Sequence, residues 1–185
     1  MNKTTKTYFA LLRGINVGGK NMLPMVSLKK LFEQIGFTSV TTYLQSGNVV
    51  FRSVMTDEKQ IEIILKQSIH ENFGLLIEVF VKQTNVLTGL IDQNPFNNRV
   101  ELESDKTGLV FLSGIPSPEG IEKLSTYEVQ PDEYFIFRDY VFIYCPNGFG
   151  RARITNAVLE SKLKLKSTIR NWKTIQALAK ISTTV

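Results

Sequence analysis

The sequence predicts an α+β fold of two similar ferredoxin-like halves, each of the βαββαβ type, with extra C-terminal helices. Strand-like apolar runs alternate with amphipathic helical stripes in that order over residues 8–81. Residues 109–115 echo residues 9–15 at an offset of 100. A chain of 185 residues fits one large domain or two small ones. We therefore predict two domains, residues 1–94 and residues 95–185.

The first half begins with the continuous apolar run Tyr8–Leu12, which is typical of a central strand covered on both faces. A glycine-rich loop, residues 14–21, follows this strand. Pro24 is well placed to open the next helix, because the first turn does not need its N–H group, and Gly36 suits the helix end.

The rest of the first half reads as a hairpin, a helix and a strand. The β-rich runs 41–45 and 48–51 flank a Ser-Gly turn, which predicts the hairpin. A capping-box signature begins at Asp57, and an apolar stripe continues from it to a helix end at Gly74. We predict that the last strand covers Leu75–Val81.

The second half repeats much of this plan after a linker predicted at Asn94–Asn98. Ser117 is a helix cap, residues 134–144 form a second hairpin, and Thr155 begins a further helix. A terminal helix is predicted from one apolar stripe: Ile169, Trp172, Ile175 and Leu178.

Composition excludes several classes of protein. The longest apolar run, Tyr140–Cys145, is far shorter than a membrane-spanning helix requires, and Arg13 interrupts the N-terminal apolar stretch of a would-be secretion signal. A single cysteine excludes an intrachain disulfide, and one cysteine with one histidine cannot form a zinc site. We expect a cytoplasmic protein that has no membrane partner, metal or cofactor.

Positive charge is concentrated at the C-terminal end. Residues 151–185 hold eight lysines and arginines but one acid, Glu160, which gives this segment a net charge of +7. The preceding 150 residues carry −2. This asymmetry favours an anionic partner at the C-terminal segment, although a solvated lysine-rich helix face has the same composition.

Three blocks of sequence resemble a bacterial family known as domain of unknown function number 1697. They are Ala10–Asn21 with Pro24-Met25 after it, Thr42–Phe51, and Arg170–Ile175. The resemblance implies an intracellular bacterial protein of α+β fold, and it implies no activity. Lys173 stands where the family usually has asparagine.

The glycine loop is the first candidate site. Gly14, Gly19 and Lys20 have the spacing of a P-loop, but Asn21 replaces the magnesium-binding Ser or Thr, and Pro24 starts the helix too late. We therefore reject a nucleotide-hydrolysing P-loop. A simpler anion-binding nest of backbone N–H groups remains, formed by Gly18, Gly19 and Lys20. Alternatively, the glycines only supply the positive φ angles of a tight loop.

The second candidate site is Gly148–Asn156, where Arg151 and Arg153 precede a helix N-terminus. Helix N-termini attract anions, and arginine binds phosphate or carboxylate through two N–H groups. The alternative is ordinary capping by Thr155 with both arginines in water.

Three functions follow from these features. The first is binding of a small anionic ligand, with catalysis undecided. The second is nucleic-acid binding by the basic C-terminal helices, with sheet aromatics stacking on bases. The third is a structural or interaction protein. The ligand-binding candidates are Arg13, Asn16, Gly18, Gly19, Lys20, Gln45, Asn48, Arg151, Arg153 and Arg170. We expect a monomer or a weak homodimer, with the two halves packed together.

Overall fold

The computed structural model describes residues 4–97 and 104–185. The chain forms two compact units, Met1–Gly89 with Ala177–Val185, and Leu90–Gln176. Each unit contains a four-stranded antiparallel sheet with helices, so the predicted α+β fold of two ferredoxin-like halves is confirmed. The predicted domain boundary between residues 94 and 95 stays a prediction. Asn98, the last residue of the predicted linker, lies outside the described residues.

The first unit has strand order β2-β3-β1-β4, in which every neighbouring pair is antiparallel. This is the order of the split βαβ plan. In chain order the elements are β1 (Lys6–Leu12), α1 (Met25–Ile35), β2 (Thr38–Tyr43), β3 (Asn48–Ser53), α2 (Glu58–Phe73), β4 (Val79–Gln83) and α3 (Val86–Asp92).

The helix boundaries of this unit follow the predicted signals. Pro24 precedes α1, and Gly36 ends it in the left-handed conformation. The Asp57 carboxylate caps α2 by accepting two backbone N–H groups of the first turn. The predicted start of β4 was wrong: the strand begins at Val79, and the preceding Leu76 is 84% exposed.

The second unit has the equivalent order, β6-β7-β5-β8, again with antiparallel neighbours. Its elements are β5 (Thr107–Leu112), α4 (Pro118–Ser125), β6 (Glu133–Phe137), β7 (Tyr140–Tyr144), a 3-10 helix (Phe149–Arg151), α5 (Asn156–Leu163) and β8 (Ser167–Asn171). The last helix, α6 (Trp172–Ser182), begins in this unit, and its residues from Ala177 onward belong to the first unit.

The start of the terminal helix was predicted wrongly. Ile169 lies in β8, which pairs with β5, and α6 begins only at Trp172. The Asn171 side chain marks the change, because its Oδ1 accepts the backbone N–H and the hydroxyl of Thr174. The extra strand β8 completes the βαββαβ pattern of the second unit.

Both faces of the central strands are buried. In β1, Tyr8 and Ala10 belong to the helix-covered core, and Phe9 and Leu11 on the opposite face are also 0% exposed. This confirms the prediction of a central strand covered on both faces. The aromatic side chains of β1, Tyr8 and Phe9, are therefore enclosed and offer no open surface on which nucleic-acid bases could stack, whereas Phe135 of the edge strand β6 is 50% exposed.

Candidate functional site

The glycine loop between β1 and α1 is a small hairpin. The Lys20 N–H donates to the Val17 carbonyl at 3.0 Å, and the Asn16 N–H donates to the Asn21 carbonyl at 3.2 Å. Gly18 and Gly19, at the tip, have φ angles of 57° and 74°. Positive φ at both central residues is what a type I′ turn requires, so glycine is needed here for its backbone freedom.

This hairpin is not a P-loop. The Lys20 N–H lies inside the turn, and α1 begins at Met25, well after this lysine. In a P-loop the lysine lies at the start of the helix and its neighbouring N–H groups surround a phosphate. The N–H groups of Gly18 and Gly19 are not part of the hydrogen bond that closes the turn, because they belong to its two central residues.

The side chain of Asn16 stabilises the hairpin by hydrogen bonds to backbone groups of neighbouring segments. Its Nδ2 donates to the carbonyls of Leu23 (2.9 Å) and Gln45 (2.8 Å), and its Oδ1 accepts the Leu23 N–H (2.8 Å). A second amide acts similarly: Asn21 Nδ2 donates to the Gly14 carbonyl at 2.9 Å. Both asparagines have positive φ, which asparagine tolerates better than most residues. The loop is therefore held in one conformation by its own side chains.

The turn between β2 and β3 supports the hairpin. The carbonyl of Gly47 accepts the Leu12 N–H at 2.8 Å. A Cβ atom at Gly47 would lie 2.7 Å from Ile15 Cδ1 and 2.8 Å from Leu12 Cβ, so only glycine fits. Fully buried Asn48 donates through Nδ2 to the Tyr43 carbonyl and the Ser46 hydroxyl.

The predicted ligand-binding residues of the first unit thus have different environments. Gly18, Gly19 and Lys20 are exposed at the hairpin tip. Gln45 is exposed and its backbone meets Asn16. Arg13 is half-buried and directly follows β1, and its backbone N–H donates to the backbone carbonyl of Glu78. The side chains of Asn16 and Asn48 bond to the protein's own backbone.

Four exposed apolar side chains, on the hairpin or directly after it, on α1 and in the turn between β2 and β3, are termed the apolar patch, and the sequence reasoning missed them. It consists of Val17, Met22, Val26 and Leu44, whose exposed fractions are 64%, 66%, 70% and 55%. Asn16 Nδ2 donates to the backbone carbonyls of both Leu23 and Gln45, so the chain segments that contain these two residues lie next to each other. Met22 and Leu44 are the residues that precede them in these segments. The signal in the sequence was the three apolar residues Val17, Met22 and Leu44 in otherwise polar loops, together with Val26 in the first turn of α1.

The charge of this region was also missed. The first 56 residues contain seven lysines and arginines and a single acid, Glu33, which lies 3.9 Å from Lys29. The acidic residues that follow cancel this excess in the net charge of the first 150 residues. The hairpin therefore belongs to a segment of net charge +6, which favours anions.

The equivalent loop of the second unit has no hairpin. Twelve residues, Arg13–Pro24, connect β1 to α1, whereas five, Ser113–Ser117, connect β5 to α4. Ile15 is 1% exposed and its counterpart in the echo, Ile115, is 69% exposed. Since both units have the same strand order, the fold alone does not require the longer loop.

At the second candidate site, most of the backbone donors have internal partners. Asp132 Oδ2 accepts the N–H groups of Arg153 (2.5 Å) and Ile154 (3.0 Å). The Thr155 hydroxyl caps α5 by accepting the Val158 N–H at 3.3 Å. The side chains of Arg151 and Arg153 are exposed. Binding of an anion here would therefore depend on the arginine side chains more than on the helix N-terminus.

Arg170 differs from the other cations of the C-terminal segment because it is buried, at 8% exposed. Its guanidinium donates to the Thr168 hydroxyl and the Ile169 carbonyl, both at 2.9 Å. Burial lowers its pKa to about 10, so it stays charged near neutral pH. Arg170 therefore does not belong to the basic surface that the sequence predicted.

Other kinds of site find no support within residues 4–97 and 104–185. No group of three or more His, Cys, Asp or Glu side chains there is arranged to hold a metal ion. Burial, reinforced by Asp132, raises the pKa of the Cys145 thiol to about 12, so the thiolate nucleophile is disfavoured. No helix in these ranges combines the length and the apolar character needed to cross a membrane.

Comparisons with known proteins identify relatives of the chain without an assigned activity. The sequence profile of a family described as "Protein of unknown function (DUF1697)" matches residues 5–142. The conserved bacterial protein SP0830 from Streptococcus pneumoniae has a similar structure, with a TM-score of 0.73 and 19% sequence identity, over 97% of this chain and 99% of that chain. No curated protein matches the sequence.

Proposed function

Because the chain belongs to the DUF1697 family of proteins of unknown function, we propose a function from its own geometry: the hairpin of the first unit binds a small anionic ligand. A phosphate or carboxylate group of the ligand lies at the hairpin tip. Its uncharged part lies on the exposed apolar patch. Lys20 supplies the cation, and the backbone of Gly18 and Gly19 supplies N–H donors.

Electrostatics supports this proposal. Lys20 is exposed within a segment that carries seven cations and one acid. Helix α1 begins at Met25, and three residues separate it from the end of the hairpin at Asn21; the preceding residue Pro24 provides no side-chain cap, and the first turn of α1 contains no acid. The positive end of its dipole therefore adds to the attraction of Lys20 for an anion.

The observation that carries the proposal is the asymmetry between the units. A braced, exposed hairpin is present after β1 and absent after β5, although the two sheets have the same strand order. Three side-chain hydrogen bonds of Asn16 fix it in place before any ligand arrives. A loop that is both exposed and rigid is the usual support for a binding site.

The apolar patch favours a ligand with an uncharged body. Val17, Met22, Val26 and Leu44 are each at least 55% exposed. Leu44 also has a φ of 57°, a left-handed conformation that is uncommon for leucine. Exposed apolar clusters mark contact surfaces more often than chance arrangements. We therefore expect organic phosphates or carboxylates to bind more tightly than inorganic phosphate.

The substitution Lys20→Ala tests the proposal. Because Lys20 is exposed, the melting temperature without ligand should stay nearly constant, with a change in unfolding free energy under ~0.5 kcal/mol. The rise in melting temperature that a bound organic phosphate gives the wild type should disappear. Thermal unfolding is measured with inorganic phosphate, phenyl phosphate and benzoate as probes.

Lys30→Ala is the matched control, since Lys30 is an exposed lysine of α1 in the same positive segment. This variant should keep the full rise in melting temperature. The proposal fails if none of the three probes stabilises the wild type, or if Lys20→Ala keeps the rise. In either case the hairpin would be only a connector.

The basic C-terminal segment supports a second candidate function, the binding of nucleic-acid phosphates. Its exposed cations are Arg151, Arg153, Lys164, Lys166, Lys173 and Lys180. Because the central-strand aromatics are buried, contacts would be restricted mainly to the phosphate backbone. The logarithm of the affinity for duplex DNA should then fall with the logarithm of salt concentration, by about 0.9 per phosphate contacted. Anisotropy titrations at two salt concentrations measure this slope; no binding at low salt excludes the function.

A further inference from the structure

Strand β6 is an apolar strand at one edge of the second sheet. Among residues 4–97 and 104–185 its one sheet neighbour, in the order β6-β7-β5-β8, is β7. Tyr134 and Ile136 pack on the core of the unit, whereas Phe135 points to the opposite face and is 50% exposed. Such an edge presents backbone groups that can pair with another strand.

The equivalent edge strand of the first sheet, β2, is irregular, whereas β6 pairs in one continuous register. In β2 the register shifts between Thr38 and Thr41, and Ser39 has a φ of 51°. A bulge of this kind twists an edge strand away from new partners. In β6 the pairing with β7 runs from Glu133 to Phe137 without a shift. A regular, apolar edge favours the addition of a strand.

The hairpin register determines which backbone groups of β6 point outward. Phe137 pairs with Tyr140 across the two-residue turn, so this pair exchanges hydrogen bonds within the hairpin. Backbone direction alternates along a strand, so the N–H and C=O groups of Tyr134 and Ile136 point away from β7. These outward groups lie on either side of Phe135.

From this geometry we infer that β6 is a self-association surface, which pairs antiparallel with β6 of a second copy of this chain. Tyr134 of each copy then exchanges hydrogen bonds with Ile136 of the other copy. The two Phe135 side chains lie directly opposite each other, in the closer, non-hydrogen-bonded kind of pair. Aromatic pairs in that position stabilise antiparallel sheets.

Charge complementarity is the reason for choosing a second copy as the occupant. Glu133 begins the strand and exposed Arg138 follows its end. Antiparallel pairing centred on Phe135 brings Glu133 of one strand close to Arg138 of the other, although Asp139 follows Arg138 in the turn. A strand of a different protein would need the same pattern of charges. One strand pair buries little surface, so the dimer is weak and depends on concentration.

Sedimentation velocity over a range of protein concentrations tests the inference. The wild type should shift from monomer towards dimer as its concentration rises. Phe135→Lys places two positive charges opposite each other, so self-association should weaken about tenfold or more. The control Leu76→Lys makes the same change at a residue that is 84% exposed and outside the strands. It should associate like the wild type.

Disulfide formation gives a second readout that locates the contact. Facing residues in a non-hydrogen-bonded pair have Cα atoms about 4.5 Å apart, within the range for a disulfide. Phe135→Cys should therefore form a disulfide-linked dimer under mild oxidation about tenfold faster than Leu76→Cys. The native Cys145 is fully buried and does not compete.

Four outcomes would overturn the inference. The wild type could remain a monomer at every concentration, Phe135→Lys could dimerise as well as the wild type, or Phe135→Cys could cross-link no faster than Leu76→Cys. A tetramer that does not depend on concentration would also contradict it.

Discussion

Replacement of Gly47 by alanine should lower the free energy of unfolding by about 3 kcal/mol. The new Cβ would lie 2.7 Å from Ile15 Cδ1 and 2.8 Å from Leu12 Cβ, far inside van der Waals contact. Both neighbours are buried, at 1% or less exposed, so they cannot move aside freely. The φ angle of 76° at Gly47 is in the left-handed region, which strains the backbone of an alanine and adds to the cost of the steric clash. Thermal unfolding should show a melting temperature about 10 °C lower.

Gly74→Ala is the matched control for this substitution. Gly74 also has a positive φ, 68°, but a Cβ atom there would have nothing within 4 Å. Its cost should be about 1 kcal/mol, which is the backbone strain alone. Equal losses in the two variants would contradict the close contact between Gly47 and the base of the hairpin.

Asn16→Ala should have a similar effect, a loss of about 3 kcal/mol in the free energy of unfolding. The substitution removes three hydrogen bonds of 2.8–2.9 Å and leaves the Leu23 N–H without its acceptor, Asn16 Oδ1. Leu23 is fully buried, so water cannot easily replace that acceptor. Alanine is also strained at the φ of 55° found here. Chemical denaturation measures the loss.

Asn21→Ala serves as the comparison for Asn16→Ala. Asn21 has a similar φ, 48°, and one exposed hydrogen bond, to the Gly14 carbonyl. It should cost at least 1 kcal/mol less than Asn16→Ala. Asn16→Ala should also lose the stabilisation by organic phosphate, because the hairpin is no longer held in its binding conformation. A variant that loses no stability would contradict the bracing role of Asn16.

The secondary structure was predictable where local signals are strong, and it was missed where tertiary pairing decides. Caps at Asp57, Ser117 and Thr155 all lie at helix starts. Strand β8 was missed because Ile169 and Trp172 are three residues apart, a spacing that also fits a helix. Its strand conformation depends on pairing with β5, which is distant in sequence.

The candidate site was predictable only in part. The sequence located the exposed loop and singled out Gly18, Gly19 and Lys20 as an anion-binding nest, but it did not reveal the hairpin whose turn contains the Lys20 N–H. The fit of Gly47 against Ile15 joins segments far apart in sequence, so no local pattern reveals it. Likewise, no local signal places the Asp132 carboxylate on the backbone that precedes α5.

The proposal that the hairpin binds anions is tested most directly by the backbone amide NMR shifts of the wild-type protein, titrated with phenyl phosphate. Saturable changes should be largest at Gly18, Gly19 and Lys20, with smaller ones at the first residues of α1. They should be absent in Lys20→Ala and retained in Lys30→Ala. Changes centred on Arg151 and Arg153 instead, or no saturable change, would contradict the account.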